Sequence, residues 1–303
     1  MKYAYFENNI IPFKDAKISI MTHAFNYGTG IFEGIRAYWN KDKEQLFIVK
    51  MEDHYRRMLN SCKIMNINIK KDIKNLASIT KELVKKNGYK EDLYIRPLAY
   101  KSSLVIGVRL HNLDDDFLIY TAPFGAYLDV SKGIHVCVSS WRRINDNMIP
   151  ARAKITGVYV NSAFSKTEAM LDGYDEAIVI NQNGNVAEGS AENIFIIRDG
   201  VLITPPVYED VLEGITRKSI IKMAREVLEI EVIQRAINRT ELYISDEIFL
   251  VGTGAQVSPV LSVDKKTIGS GKVGPITGKL QKIYFNAVRG NDPDYTNWLT
   301  TVY

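Results

Sequence analysis

The sequence predicts an α+β protein in two parts. A first part of mixed helices and strands spans 1–122, a strand-rich second part spans 134–303, and residues 123–133 form the linker between them. Three observations predict this. Helix-period and strand-period segments are mixed through the first part. Short apolar runs joined by Asn183-Gly184 and Asp199-Gly200, both strong hairpin turns, mark the second. Between them, Pro123 to Gly133 has a turn former at each end and aromatic residues inside, so it reads as a connection that packs against a ligand.

Taken in order, Gln45-Leu-Phe-Ile-Val-Lys50 reads as a strand, and Asp53 starts a helix with Met58, Leu59, Cys62 and Met65 on one face. A second helix carries Ile73, Leu76, Ala77, Thr80, Leu83 and Val84 at helical spacing and stops at Asn87-Gly88, a natural C-terminal cap. Strands follow at Leu93–Ala99 and Phe117–Ala122, with a loop over 101–116 between them. In the second part, Ile134–Ser139 alternates, Glu176–Asn181 leads into Asn183-Gly184, and Ile194–Arg198 meets Val201–Ile203 across Asp199-Gly200. Glu188 is expected just before a strand, between the two hairpins. Helices are expected over Asn161–Leu171 and Thr216–Leu228.

Composition narrows the class. The chain has 303 residues, ample for a large apolar core, and its 46% hydrophobic and 24% charged content is that of an ordinary globular enzyme. A net charge of +4 from scattered lysines and arginines offers no basic tail and argues against a nucleic-acid partner. Cys62 and Cys137 show no CxxC spacing, and four histidines without metal-ligand spacing argue against a zinc site. No apolar run reaches a membrane span and the start has no signal core, so a cytoplasmic protein is expected.

The chemistry gathers in three motifs. Ala151-Arg-Ala-Lys-Ile-Thr-Gly-Val-Tyr159 places Lys154 among small and apolar neighbours, where desolvation favours a neutral amine. Glu188-Gly-Ser-Ala-Glu-Asn-Ile-Phe195 supplies a carboxylate. Leu212-Glu-Gly-Ile-Thr-Arg217 opens a helix that Thr216 could cap, and the N–H groups of that first turn form an anion site. Gly252-Thr-Gly-Ala-Gln256 follows a strand and could hold a second anion; a simple glycine turn is the competing reading. In the pair Arg56-Arg57, one side chain is expected to face solvent and the other to turn inward. Arg96 lies within Tyr94-Ile-Arg-Pro97, flanked by apolar residues, where an arginine wants a carboxylate or phosphate. Tyr27-Gly-Thr-Gly-Ile-Phe-Glu-Gly-Ile-Arg36 is not a dinucleotide fingerprint, but its glycines allow close approach to a ligand, with Tyr27 and Phe32 as pocket candidates. An amine for a Schiff base, an acid for a ring nitrogen and N–H donors for a phosphate form the set that pyridoxal phosphate needs.

These residues resemble the class IV (fold type IV) pyridoxal-phosphate aminotransferases, and among them most closely the branched-chain amino acid aminotransferases. The family pattern is met by Glu188, Asn193-Ile-Phe195, Thr204 and Leu212-Glu-Gly-Ile-Thr-Arg217, and Tyr27–Arg36, Tyr94–Pro97, Phe124–Tyr127, Lys154 and Gly252-Thr253 match in order. The resemblance implies the fold type IV architecture, a small two-layer α/β domain and a larger barrel-like domain joined by an interdomain loop, and pyridoxal 5'-phosphate bound to Lys154, which also moves the substrate proton. It implies Tyr159 on the cofactor's phenolic oxygen and Glu188 on the ring nitrogen, with Arg57, Leu212, Ile215, Thr216 and Thr253 completing the cofactor set. Tyr94 and the backbone of Thr253, Gly254 and Ala255 would take the substrate α-carboxylate. Tyr27, Phe32, Gly34, Phe124, Tyr127 and Tyr159 would line the side-chain pocket, and Arg96 would accept the distal carboxylate of glutamate. Amino acids and 2-oxo acids are the implied partners, with no metal, no nucleic acid and no membrane. A homodimer or higher homo-oligomer is implied, the active site lying near the subunit interface.

Three departures from the family pattern stand out: Val158 between Gly157 and Tyr159, Ala191 where Gly is frequent, and Phe124 where some members have Trp. None removes a chemical group. The same cofactor residues would also serve an aminodeoxychorismate lyase or a D-amino acid or (R)-amine aminotransferase. Tyr27, Phe32 and Tyr94-Ile-Arg-Pro97 favour an aliphatic substrate over the aromatic diacid of the lyase.

Overall fold

The computed structural model describes residues 1–125, 128 and 130–303, so Tyr127 lies outside the described residues. They divide into two compact units. The first comprises Met1–Gly125, Ala153–Val158 and Asn286–Tyr303; the second comprises 126–152 and Tyr159–Phe285. This differs from the contiguous partition expected at 123–133, because two later segments join the first unit. Residues 153–158 run along one of its strands, and the C-terminal strand extends its sheet. Long-range strand pairing of this kind leaves no mark in local periodicity.

In the first unit, β1 (Tyr3–Phe6), β2 (Asn9–Pro12), β3 (Gly30–Phe32), β4 (Ile35–Asn40), β5 (Gln45–Val49), β6 (Leu93–Lys101) and β7 (Asp115–Pro123) form an antiparallel sheet with the C-terminal strand Leu299–Thr301. The order is C-terminal strand, β5, β4, β6, β7, β1, β2. Strands β3 and β4 both pair with β6, Phe32 opposite Leu98 and Ile35 opposite Ile95. They are one strand broken at Glu33-Gly34, and the break is where the unit's polar chemistry gathers.

Three helices accompany this sheet: α1 (His23–Tyr27), α2 (Met51–Ile64) and α3 (Ile73–Asn87). Helix α2 starts two residues earlier than Asp53 because Lys50, at φ 47°, turns the chain at the end of β5 and donates its N–H to Trp298. Asp53 falls in the first turn, a favourable place for an acid. Helix α3 has a capping box, Asp72 with Asn75, and ends on left-handed Gly88 as the sequence implies.

The second unit holds β8 (Ile134–Val138), α4 (Tyr159–Leu171), β9 (Glu176–Ile180), β10 (Val186–Gly189), β11 (Asn193–Arg198), β12 (Val201–Thr204), α5 (Ile215–Glu226), β13 (Val232–Gln234), α6 (Arg239–Leu242), β14 (Glu247–Gly252), β15 (Gln256–Val263), β16 (Lys266–Thr267) and most of α7 (Pro275–Val288). Its sheet runs β10, β9, β8, β15, β14, β11, β12, β13, with β16 on the side of β15. The parallel pairs β8–β9 and β12–β13 are joined by crossovers through α4 and α5, as parallel strands require. The turns from β9 to β10, β11 to β12, β14 to β15 and β15 to β16 are hairpins, including both read from Asn-Gly and Asp-Gly. Val136, Ile178, Ile194, Ile196, Ile248, Leu250 and Val260 fill the core. The β-branched residues that mark these strands in the sequence are thus the ones that pack on the sheet. Among the described residues no helix is long and apolar enough to cross a membrane.

Candidate active site

Lys154 is held by backbone hydrogen bonds in the first unit. Phe32 N–H donates to the Lys154 carbonyl at 3.1 Å, and Lys154 N–H donates to Ser61 Oγ at 3.3 Å. Ile155 bridges to Ile31, Gly157 N–H donates to Gly28 O at 3.2 Å, and Thr156 Oγ1 donates to the same carbonyl at 2.7 Å. Such close approach needs Gly28, left-handed at φ 66°; a Cβ there would lie 2.8 Å from Gly157 Cα. The half-buried lysine places Nζ 4.9 Å from the centre of the Phe32 ring.

Behind it lies a buried polar group. Glu33, in the break between β3 and β4, is fully buried and accepts from Arg57 Nε and Nη2, each at 2.7 Å, and from His54 Nδ1 at 2.7 Å. Burial alone would raise this carboxyl; Arg57 and His54 outweigh it and hold Glu33 at about 2. Burial lowers His54 in turn, against the pull of Glu33. Arg56 points outward to Asp53 while Arg57 turns inward, as read from the pair.

Next to Phe32 is an aromatic and cationic cluster. Tyr94 and Arg96 project from one face of β6; Arg96 Nη2 donates to the Tyr94 hydroxyl at 2.9 Å, and its guanidinium stacks 4.4 Å from the Phe32 ring centre. Arg96 Nε is buried without a hydrogen-bond partner. Among the described residues no carboxylate pairs with this arginine. A Cβ on Gly34 would fall 2.1 Å from the Tyr94 hydroxyl, so only glycine lets that ring in. Phe124 packs on Tyr94 with ring centres 5.2 Å apart. Tyr27 sits at the end of α1, its ring 4.7 Å from His23, and its hydroxyl accepts from Gly107 N–H at 3.1 Å.

In the second unit Glu188 lies within β10, one strand earlier than expected, and is almost fully buried. Arg143 Nη2 pairs with Oε1 at 2.8 Å, while Asn193 Nδ2 and Leu212 N–H each donate to Oε2 at 3.2 Å. Those partners hold Glu188 ionised and fixed. Asn193 also donates to Leu212 O at 2.9 Å, tying the carboxylate to the segment that leads into α5. The cap of α5 is Gly214 and not Thr216, which lies in the first turn; no side chain caps the helix. A Cβ on Gly214 would meet Asn193 Oδ1 at 1.9 Å, so Asn193 takes the space a side chain would need. Ile215 and Thr216 are buried in that first turn, whose N–H groups make an anion site. Thr253, Gly254 and Ala255 form the turn from β14 to β15, and Tyr159 is the first residue of α4.

Sequence reasoning missed Glu33, His54 and Arg143. Glu33 sat in view inside Phe32-Glu-Gly34, and Arg143 in the basic pair Arg142-Arg143, but only tertiary pairing separates a buried charge from a solvated one. It also gave Glu192 no role, and the structure assigns it none in the cluster around Glu188. Burial, reinforced by the Glu176 carboxylate, raises Glu192 to about 8, and its carboxyl accepts from Ala191 N–H at 3.1 Å.

Residues 30–263 match the family described as amino-transferase class IV. The chain belongs to the class IV aminotransferases. It is 52% identical over 303 residues to a probable branched-chain-amino-acid aminotransferase of Aquifex aeolicus, covering 100% of this chain and 97% of that protein. It is similar to the branched-chain aminotransferase of Thermoproteus uzoniensis solved with norvaline, at TM-score 0.95 and 42% identity over 99% of both chains. The branched-chain amino acid aminotransferase of Thermobaculum terrenum, solved in its PLP form, matches at TM-score 0.96 and 38% identity, covering 100% of this chain and 98% of that one. The fold is therefore fold type IV, as the resemblance implied.

The raised Glu192 has a measurable consequence for this aminotransferase. A carboxyl raised on folding contributes stability that is present below its unfolded value and lost as pH rises through the folded one, here about 8. Glu192→Gln keeps an acceptor for Ala191 and removes the titration. The melting temperature of the parent should therefore fall relative to the variant between about pH 5 and 9. Parallel curves would contradict the assignment.

Proposed function

We propose that this class IV aminotransferase transfers the amino group of L-Leu, L-Ile or L-Val reversibly to 2-oxoglutarate, giving branched 2-oxo acids and L-glutamate. The observation that carries this is its full-length likeness to branched-chain aminotransferases. Pyridoxal 5'-phosphate is the cofactor, and the donor set fits it: an amine on a pinned strap, an ionised buried carboxylate, and a helix start whose N–H groups no side chain caps. When bound, the cofactor supplies an electron sink for the substrate's Cα–H bond.

Each residue then has a task. Lys154 Nζ takes the proton from the substrate Cα, and the backbone bonds on either side of Lys154 hold it in place to do so. Glu188, kept ionised by Arg143, pairs with the ring nitrogen and holds its proton. Arg57, Ile215, Thr216 and Thr253 bind the phosphate end, Tyr159 the phenolic oxygen, and Leu212 completes the cofactor set. Tyr94 and the Thr253-Gly254-Ala255 backbone take the α-carboxylate. Phe32, Gly34, Phe124 and Tyr27 surround the aliphatic side chain. Arg96, whose buried Nε lacks a protein partner, takes the distal carboxylate of glutamate, so one pocket serves both substrates.

Homo-oligomerisation is part of the same proposal. Ile20, Phe25, Ile106 and Val108 are 68–86% exposed. His23 joins their two segments, its backbone N–H donating to Ser103 O at 3.0 Å and its Nε2 lying 2.8 Å from Gly107 O. A preformed apolar surface of this kind asks for a partner, and a second copy is the one proposed. Cytoplasmic residence is also proposed: Cys62 and Cys137 are both unpaired, buried thiols, as a reducing compartment leaves them.

Three measurements test this reading. The wild-type protein should turn over L-leucine with 2-oxoglutarate. Arg96→Met should raise the KM for 2-oxoglutarate and glutamate at least about tenfold while changing that for leucine little; equal losses would make Arg96 structural. Sedimentation should find a dimer or larger, and a monomer at micromolar concentration would remove the oligomer from the proposal.

A further inference from the structure

We infer that Glu33 and His54 are positioning residues for Arg57, fixing its guanidinium for the cofactor phosphate. This rests on the reading of Arg57 as a phosphate ligand. Helix α2 presents His54, Arg57 and Ser61 at i, i+3 and i+7, on one face. Glu33 meets the first two, and Ser61 Oγ accepts from Lys154 N–H at 3.3 Å while donating to Arg57 O at 2.9 Å. The same helix face therefore holds both the arginine and the lysine strap.

The geometry of the carboxylate is specific. Oε1 receives Arg57 Nε, and Oε2 receives both Arg57 Nη2 and His54 Nδ1, all at 2.7 Å. Held at about 2, Glu33 is an acceptor only, so Nδ1 of His54 carries the hydrogen and donates it. That third bond fixes the plane of the carboxylate, and the two-pronged pairing fixes the plane of the guanidinium to it. Glu33 engages the side of the fork that carries Nε. The guanidinium is thereby set in one orientation. A free arginine side chain has much rotamer entropy to lose on binding, and prior fixing removes that loss. Glu33 is also anchored itself, its N–H donating to Pro97 O at 2.9 Å in the break between β3 and β4. Isosteric exchange of the acid would thus leave the backbone and free the arginine.

A second effect runs the other way, because Glu33 is an anion near an anion site. If charge dominated, removing it would tighten phosphate recognition. If positioning dominates, removing it weakens recognition, and the sign of the change decides between them.

The test compares pyridoxal phosphate with pyridoxal, which lacks the phosphate but keeps the aldehyde and ring. Dissociation constants for both are measured by absorbance titration of the apoprotein, for wild type, Glu33→Gln, His54→Gln and Arg57→Met. Wild type should prefer the phosphorylated form strongly, and Arg57→Met should lose much of that preference. A wild type without preference, or an Arg57→Met variant that retains it in full, would overturn the reading of Arg57 and this inference with it. Glu33→Gln should lower the preference at least about tenfold, by weakening the phosphorylated form alone. His54→Gln, which keeps both charges, should lower it less. An unchanged or increased preference in Glu33→Gln, beside a reduced one in Arg57→Met, would overturn the positioning role and leave the phosphate reading standing. Equal weakening of both ligands would show a merely structural role. Should Glu33→Gln not fold, His54→Gln decides: a selective loss supports the inference and an unchanged preference overturns it.

Discussion

The lysine strap depends on a backbone constraint: residues 154–157 lie against Gly28–Phe32 closely enough that Gly28 and Gly157 meet without side chains. A flexible lysine on a loose loop would have to be ordered each time it moved a proton. Here the main chain on both sides of Lys154 is tied, and the cost of that order is met on folding. The break in the β3–β4 strand follows from the same arrangement. Gly34 lets Tyr94 pass, Glu33 turns inward to Arg57, and Phe32 gives its ring to both Lys154 and Arg96.

Three buried glutamates show how surroundings divide one chemical group into different roles. Glu33 and Glu188 are each met by an arginine and by further donors, so each is held as an anion. Glu192 has a backbone N–H and a neighbouring carboxylate instead, and burial pushes it to about 8. Desolvation acts on Glu33 and Glu192 alike, and the presence of a cation in direct contact decides its outcome. The two ionised acids lie where the cofactor and its ligands are proposed to bind. The protonated one lies in the turn between β10 and β11, where it accepts a backbone bond.

Much of this was legible in the chain. The hairpins at Asn183-Gly184 and Asp199-Gly200, the helix end at Gly88 and the strand read at Leu93–Ala99, which the structure extends to Lys101, follow from local rules of turns, caps and alternation. Lys154, Glu188 and a helix opening within Leu212–Arg217 could be named because their motifs are local in sequence. What was not legible is non-local. Nothing near Ala153–Val158 says that it joins a strand more than 120 residues earlier, nor that the last strand closes the first sheet on β5. Arg143 looked like any member of a basic pair until Glu188 lay 2.8 Å away. Thr216 looked like a cap by residue type, but Asn193 occupies the space beside Gly214, and the helix starts there.

The central claim is that Lys154 moves the amino acid's α-proton in a branched-chain transamination. The most direct measurement follows the bound cofactor's absorbance when L-leucine is added to the holoprotein, then 2-oxoglutarate, alongside the Lys154→Ala variant. The account predicts conversion to the pyridoxamine form with L-leucine and return with 2-oxoglutarate, with neither change in the variant. A spectrum that ignores L-leucine and responds to D-alanine, or a variant that converts at the wild-type rate, would contradict it.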